Sequence, residues 1–137
     1  MHAQAFYPSA LQEIHEAFAF CDDWEERYGI LIDLGRRLPP FPEEARTDAN
    51  RVNGCASQVW MIAEPGARFK FQADSDAQIV RGLIAILRAA YHDQDHETLK
   101  QLDMVETFRE LGLENHLTPN RRNGFFAMTE RLRELAQ

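Results

Sequence analysis

The chain has 137 residues, 45% of them hydrophobic and 27% charged. That length and mix fit one globular domain over residues 1–137 and exclude a disordered tail, a collagen-like chain and a disulfide scaffold. Lys and Arg number 15 against 22 Asp and Glu, a formal charge of −7, which repels phosphate backbones and argues against nucleic acid as a partner. The longest apolar stretch, residues 79–91, is short and interrupted by Arg81 and Arg88, so no membrane span is expected. Residues 1–10 carry neither a basic n-region nor an apolar h-region. The expected compartment is therefore the cytoplasm, with Cys21 and Cys55 as free thiols.

Ser9 followed by Gln12 predicts a capping box, with Leu11, Ile14, Phe18 and Cys21 then at helical spacing. Asp22 and Asp23 can cap a second helix, with Glu25 and Glu26 in its first turn, where the dipole favours acids. Trp24, Tyr28, Leu31 and Gly35 share one face of it, and Leu38-Pro39-Pro40 ends it. Residues 41–50, rich in Pro and acids, read as a surface connection.

Residues 57–63 include Val59, Trp60, Met61 and Ile62, apolar on both faces, as in a strand covered on both sides. Pro65-Gly66 supplies a turn. Ala67, Phe69, Phe71 and Ala73 then alternate with Arg68, Lys70 and Gln72, the period of a half-buried strand. The two strands make an antiparallel hairpin, and a third short strand is expected near Arg51-Val52-Asn53. Ser75 and Gln78 predict another capping box. The helix behind it, through Ile79, Val80, Leu83, Ile84, Ile86 and Leu87, is apolar enough to be the central core helix. After a polar break at residues 92–96, short helices are expected over 97–101 and 105–111, the second stopped by Gly112. Thr118, with Pro119 at the first helical position, starts a last helix through Phe126, Met128, Leu132 and Leu135. The sum is an α+β domain with helices on one side of a small antiparallel sheet.

The segment Asn53-Gly54-Cys55-Ala56-Ser57-Gln58 is the most suggestive for chemistry. It sets a cysteine after a glycine in a tight connection before a strand, where a partner can reach the thiol. The thiolate is the reactive form and a minor species near neutral pH. The bland alternative is a small buried hydrophobe, which suits Cys21 better. Cys–His catalysis would need His116 beside Cys55, and nothing in the spacing pairs them. Cys21, Cys55, His92, His96 and His116 include only one close pair, so structural zinc is not expected. Asp74 and Asp76 read either as a carboxylate pair or, preferably, as helix capping. Arg121 and Arg122 stand in the first turn of the last helix, where the dipole disfavours cations. They either hold an anion or acidic partner or are simply solvated. No phosphate loop or dinucleotide fingerprint occurs.

Four stretches together carry a family resemblance: Cys21-Asp22-Asp23-Trp24-Glu25-Glu26-Arg27-Tyr28 with Leu34-Gly35-Arg36-Arg37-Leu38-Pro39; Val52-Asn53-Gly54-Cys55-Ala56-Ser57-Gln58-Val59-Trp60; Asp74-Ser75-Asp76-Ala77-Gln78-Ile79-Val80-Arg81-Gly82-Leu83; and His116-Leu117-Thr118-Pro119-Asn120-Arg121-Arg122-Asn123-Gly124. In this order and spacing the chain resembles SufE and its relative CsdE, the sulfur-acceptor partners of cysteine desulfurases. The resemblance implies a SufE/IscU-like α+β sandwich with a three-stranded antiparallel sheet. It implies that Cys55 is the persulfide-carrying cysteine. Ala56 stands where the family has glutamine, a departure expected to tune the loop and leave the thiol intact. Arg121 is implied to lie near the active loop and Asp76 to influence the loop and the encounter with the desulfurase. Gly54, Ser57, Gln58 and His116 join them as loop or partner contacts.

The implied activity is that of a sulfur acceptor and activator. A SufS-type cysteine desulfurase passes persulfide sulfur to Cys55, which delivers it to an Fe–S assembly scaffold. Pyridoxal phosphate belongs to the desulfurase, and no cofactor or metal is implied on this chain. The resemblance favours SufE over CsdE and a monomer that forms transient complexes. Two other readings stand beside it: an acidic adaptor without chemistry, and an IscU-like scaffold that binds a cluster itself. The second would need several cysteines near the loop, where only Cys55 lies.

Overall fold

The structure, a computed structural model, describes residues 8–137. Helix α1 (Ser9–Ala19) buries Leu11, Ile14 and Phe18. Its N-cap is Pro8 and no side chain caps it. The box expected at Ser9 and Gln12 does not form, because Ser9 is already the first helical residue. Helix α2 (Trp24–Arg36) starts as its sequence predicts, with the Asp23 carboxylate accepting the Glu26 N–H at 2.9 Å.

Strands β1 (Val59–Glu64) and β2 (Lys70–Ser75) pair antiparallel, Val59 opposite Ser75 and Met61 opposite Ala73. Among the described residues the sheet has these two strands, not three. The expected third strand at Arg51-Val52-Asn53 shrinks to a bridge between Arg51 and Trp60, with the Val52 N–H donating to the Val59 carbonyl at 2.9 Å. A 3-10 turn at Asp48–Asn50 and the left-handed turn at Gly54 leave too little extended chain between them to pair further.

Helix α3 (Gln78–Tyr91) fills the centre: Leu83, Ile84, Ile86, Leu87 and Ala90 are fully buried. Its N-cap is Ala77. Ser75 is still in β2, and its hydroxyl accepts the Ala77 N–H at 3.2 Å in place of the expected capping box. α3 lies directly on α2, where a Cβ on Gly35 would stand 2.9 Å from the Gly82 nitrogen. Helices α4 (His96–Gln101) and α5 (Met104–Glu110) are capped by Asp95 and Asp103. Gly112 then turns the chain at φ 76°. Helix α6 (Pro119–Leu135) begins with the Thr118 hydroxyl accepting the Arg121 N–H at 3.3 Å. It buries Phe125, Met128 and Leu132, while Phe126 is only half-buried.

The hairpin has two dissimilar faces. Val59, Met61, Phe71 and Ala73 join the core with α3. Trp60 and Asp74, paired across the strands, look the other way, and the chain from Phe41 to Asn50 folds over them. The Arg46 guanidinium sits 5.0 Å from the Trp60 ring centroid and 5.4 Å from that of Phe41. It pairs with Asp74 at 2.7 Å, and Asp74 also lies 3.0 Å from Arg81. The apparent surface connection is thus a cover. The outer edge of β2 is closed by the chain around the end of α3, through backbone and side chains: Phe69, just before the strand, donates its N–H to the Gln94 carbonyl at 2.8 Å. Phe71 N–H donates to His92 Nδ1 at 3.2 Å, and Arg88 donates to the Phe71 carbonyl at 3.2 Å. No helix among the described residues is long and apolar enough to cross a membrane.

Candidate functional site: the Cys55 cleft

The chain reaches Cys55 through Gly54, whose φ of 91° suits only a residue without a side chain. A Cβ there would also stand 3.2 Å from Ala127 of α6. This turn lays the cysteine against α6. The half-buried Cys55 thiol points to the Gly124 carbonyl, with Sγ 3.6 Å from the oxygen. Burial alone pushes its pKa above the ordinary cysteine value, since taking the site out of water disfavours the charged form. At rest Cys55 is therefore a protonated thiol, and it becomes a nucleophile only when its loop presents it to a wetter or more cationic setting.

The sulfur borders a cleft of about 270 Å³. One wall is apolar, made of Val80 and Leu83 from α3 and Met128 from α6. The other end is polar, where Thr118, Asn120 and Arg121 stand at the start of α6. Arg121 is exposed, and among the described residues its guanidinium has no ion-pair partner. Its charge is free for a group brought from outside.

Of the residues singled out from the sequence, Cys55, Ser57 and Arg121 line this cleft, and Gly54 makes the turn. Gln58 and Asp76 meet just behind it, at the base of the loop: Gln58 N–H donates to the Asp76 carboxylate at 3.1 Å and Asp76 N–H donates to the Gln58 carbonyl at 3.3 Å. Neither Asp74 nor Asp76 caps α3, as preferred from the sequence; Asp74 serves the two arginines and Asp76 the loop. His116 stands outside the lining of the cleft. Its ring stacks on Trp24 with centroids 4.0 Å apart, and its carbonyl accepts the Tyr28 hydroxyl. Cys21 donates to the Ala17 carbonyl at 3.4 Å. His92 spends Nδ1 on the backbone of β2. Among the described residues no three His, Cys, Asp or Glu side chains gather as a metal site.

Sequence reasoning passed over Val80, Leu83, Asn120, Gly124 and Met128 as parts of the cleft. Only Gly124 carried a signal, being a glycine inside a helix, where alanine is favoured.

Comparison with known proteins adds to this geometry. Residues 12–136 match the SufE family profile, described as an Fe-S metabolism associated domain. An uncharacterized SufE-like protein of Rhizobium etli is 41% identical over 139 residues, covering 98% of this chain and 94% of the relative. A second, from Rhizobium meliloti, is 39% identical over 134 residues, covering 94% and 96%. The solution structure of a hypothetical protein from Thermus thermophilus superposes with a TM-score of 0.77 at 23% identity, over 96% of both chains, and shows that the fold is shared.

Proposed function

Because the chain belongs to the SufE family, whose domain is associated with Fe–S metabolism, we propose that it accepts sulfur on Cys55 from a pyridoxal-phosphate-dependent cysteine desulfurase of SufS type and hands it to an Fe–S assembly scaffold. The observation that carries this reading is the position of Cys55. Its thiol sits on a tight loop at the edge of a cleft that ends in Arg121, an arginine with no ion pair among the described residues. Cys21, by contrast, lies just past the end of α1, not on it as its spacing suggested, and is engaged with the Ala17 carbonyl of that helix.

The chemistry follows thiol–disulfide exchange, with a persulfide in place of the disulfide. The loop swings out, and Cys55 loses its proton in the partner's active site. The thiolate attacks the outer sulfur of the partner's persulfide. A new S–S bond forms on Cys55, the partner's S–S bond breaks, and the partner's thiolate leaves with the electron pair. The freed partner can turn over again, which is how acceptance becomes activation. Arg121 and Asp76, both exposed beside the loop, would meet a docking partner; Gly54 gives the loop its turn, Ser57 lines the cleft, and Gln58 ties the end of the loop to Asp76 until the partner opens it. His116 acts at a distance by fixing the chain that leads into α6. Pyridoxal phosphate stays on the desulfurase, and this chain is an accessory to that enzyme.

The test is non-reducing mass spectrometry after incubation with a SufS-type desulfurase, pyridoxal phosphate and cysteine. The expected result is one added sulfur atom on the Cys55 peptide, removable by reductant. Faster desulfurase turnover with no sulfur on Cys55 would favour an adaptor. Neither effect with SufS, but both with a CsdA-type desulfurase, would reassign the partner.

A further inference from the structure

We infer that Gly124 gives the second sulfur of a Cys55 persulfide its room. This rests on the sulfur-acceptor reading above and adds a residue to it. A glycine inside a helix is less favourable than alanine by up to about 1 kcal/mol, so a buried one needs a reason. The resting structure offers none. Gly124 does not adopt the positive φ of Gly54, Gly66 or Gly112. Nor does a neighbouring backbone cross it, as α2 and α3 cross at Gly35 and Gly82. The nearest atoms to a Cβ at position 124 would all belong to Cys55: Sγ at 3.6 Å, Cβ at 3.9 Å and Cα at 4.0 Å. These are ordinary contact distances. Alanine would fit beside the resting thiol, and what it would fill is the space on that flank of the sulfur.

A persulfide needs such space. Transfer from a donor R–S–SH to the Cys55 thiolate makes one S–S bond and breaks another. R–S⁻ departs with the electron pair, and the outer sulfur keeps its proton. The product carries an extra sulfur about 2.05 Å from Sγ, the length of a disulfide bond. The Gly124 oxygen, 3.6 Å from Sγ, blocks the straight line, so the added sulfur must turn aside. Next to that carbonyl, residue 124 presents only hydrogen. The loaded cysteine can therefore return to its resting place with its cargo folded against α6, out of water.

Wild type, Gly124→Ala and Gly29→Ala provide the test; a Cβ at Gly29 meets nothing within 4 Å, so that variant is the control for adding alanine to a helix. Each is loaded by desulfurase with cysteine and, separately, by a low-molecular-weight persulfide. Loss of the Cys55 persulfide to cyanide is followed by peptide mass, and melting temperature is recorded. Both variants should melt at or slightly above wild type. Gly124→Ala should lose its persulfide about tenfold faster, the scale on which one extra carbon disturbs a packed site, while Gly29→Ala matches wild type. Equal lifetimes in wild type and Gly124→Ala would overturn the inference and leave the acceptor reading standing. A Gly124→Ala protein that melts well below wild type would also overturn it, by showing a packing role. If wild type holds no sulfur by either route, both fall together. Chemical loading without enzymatic loading would displace only the partner, and the lifetimes would still decide the role of Gly124.

Discussion

Gln58 and Asp76 hold one another twice, each offering its backbone N–H to an oxygen of the other, at 3.1 Å and 3.3 Å. One residue ends the Cys55 loop and the other leads into α3, so the pair is a clip between the loop and the core helix. Asp76→Ala breaks the side-chain half of the clip. The expected loss of stability is about 1 kcal/mol, because the residues are exposed. The larger effect is on access: alkylation of Cys55 by iodoacetamide should speed up several-fold, and amides of residues 51–58 should exchange faster. Unchanged alkylation and exchange would show that the loop is held elsewhere.

The raised pKa of Cys55 has a definite sign in stability. The folded protein keeps the proton longer than the unfolded chain does, so this contribution is complete below the ordinary cysteine pKa. It is lost as pH rises through the folded value. Denaturant melts from pH 7 to pH 10 should show wild type losing more stability than Cys55→Ser. Parallel curves for the two proteins would contradict the assigned burial.

His92 titrates in the opposite direction. Burial, then the neighbouring Arg88 charge, lowers its pKa, against weaker raising influences from Glu64 and Asp93. The neutral ring is the form that accepts the Phe71 N–H. The folded state thus binds this proton less readily than the unfolded one. The contribution is whole above about pH 6.5 and is lost as pH falls through the folded pKa. Thermal melts at pH 7.5 and pH 5 should separate wild type from His92→Gln, the variant losing less on acidification. An equal loss would place the acid sensitivity at other groups.

Asp74 is the carboxylate between Arg46 and Arg81, with a side chain only 14% exposed. Asp74→Ala leaves two partly buried guanidinium groups facing each other. The expected loss is about 2 kcal/mol, as for a hydrogen bond to a charged group, with the fluorescence of Trp60 shifting as the cover over it loosens. A loss below half that, with Trp60 unchanged, would mean water replaces the carboxylate without cost.

Much of the fold was readable because its signals are local. Asp23 ahead of Glu26, Gly112 after α5, and Thr118-Pro119 ahead of α6 each act within one turn of chain. The inward face of β2 likewise follows from alternation, with Phe71 and Ala73 buried between exposed or half-buried neighbours. The two capping boxes did not form because Ser9 is already helical and Ser75 already lies in β2, and the third strand did not because the turns at Asp48–Asn50 and Gly54 leave too little extended chain. Asp74 and Asp76 looked alike in sequence and differ only in what faces them, Arg46 for one and Gln58 for the other. Cys55 stood out by its motif. Its cleft did not, since the walls come from α3 and α6, and the contact between Cys55 and Gly124 spans 69 positions.

Holding the Cys55 hydrogen against the Gly124 carbonyl also sets its fate under oxidative stress. Peroxide and small disulfides react with thiolates, and a buried thiol of raised pKa offers few of them. The same contact makes reaction conditional on whatever pulls the loop open. Discrimination between an intended sulfur donor and a stray oxidant then owes more to the loop than to the sulfur: a reagent that cannot move the chain meets a half-buried, protonated thiol, which reacts slowly.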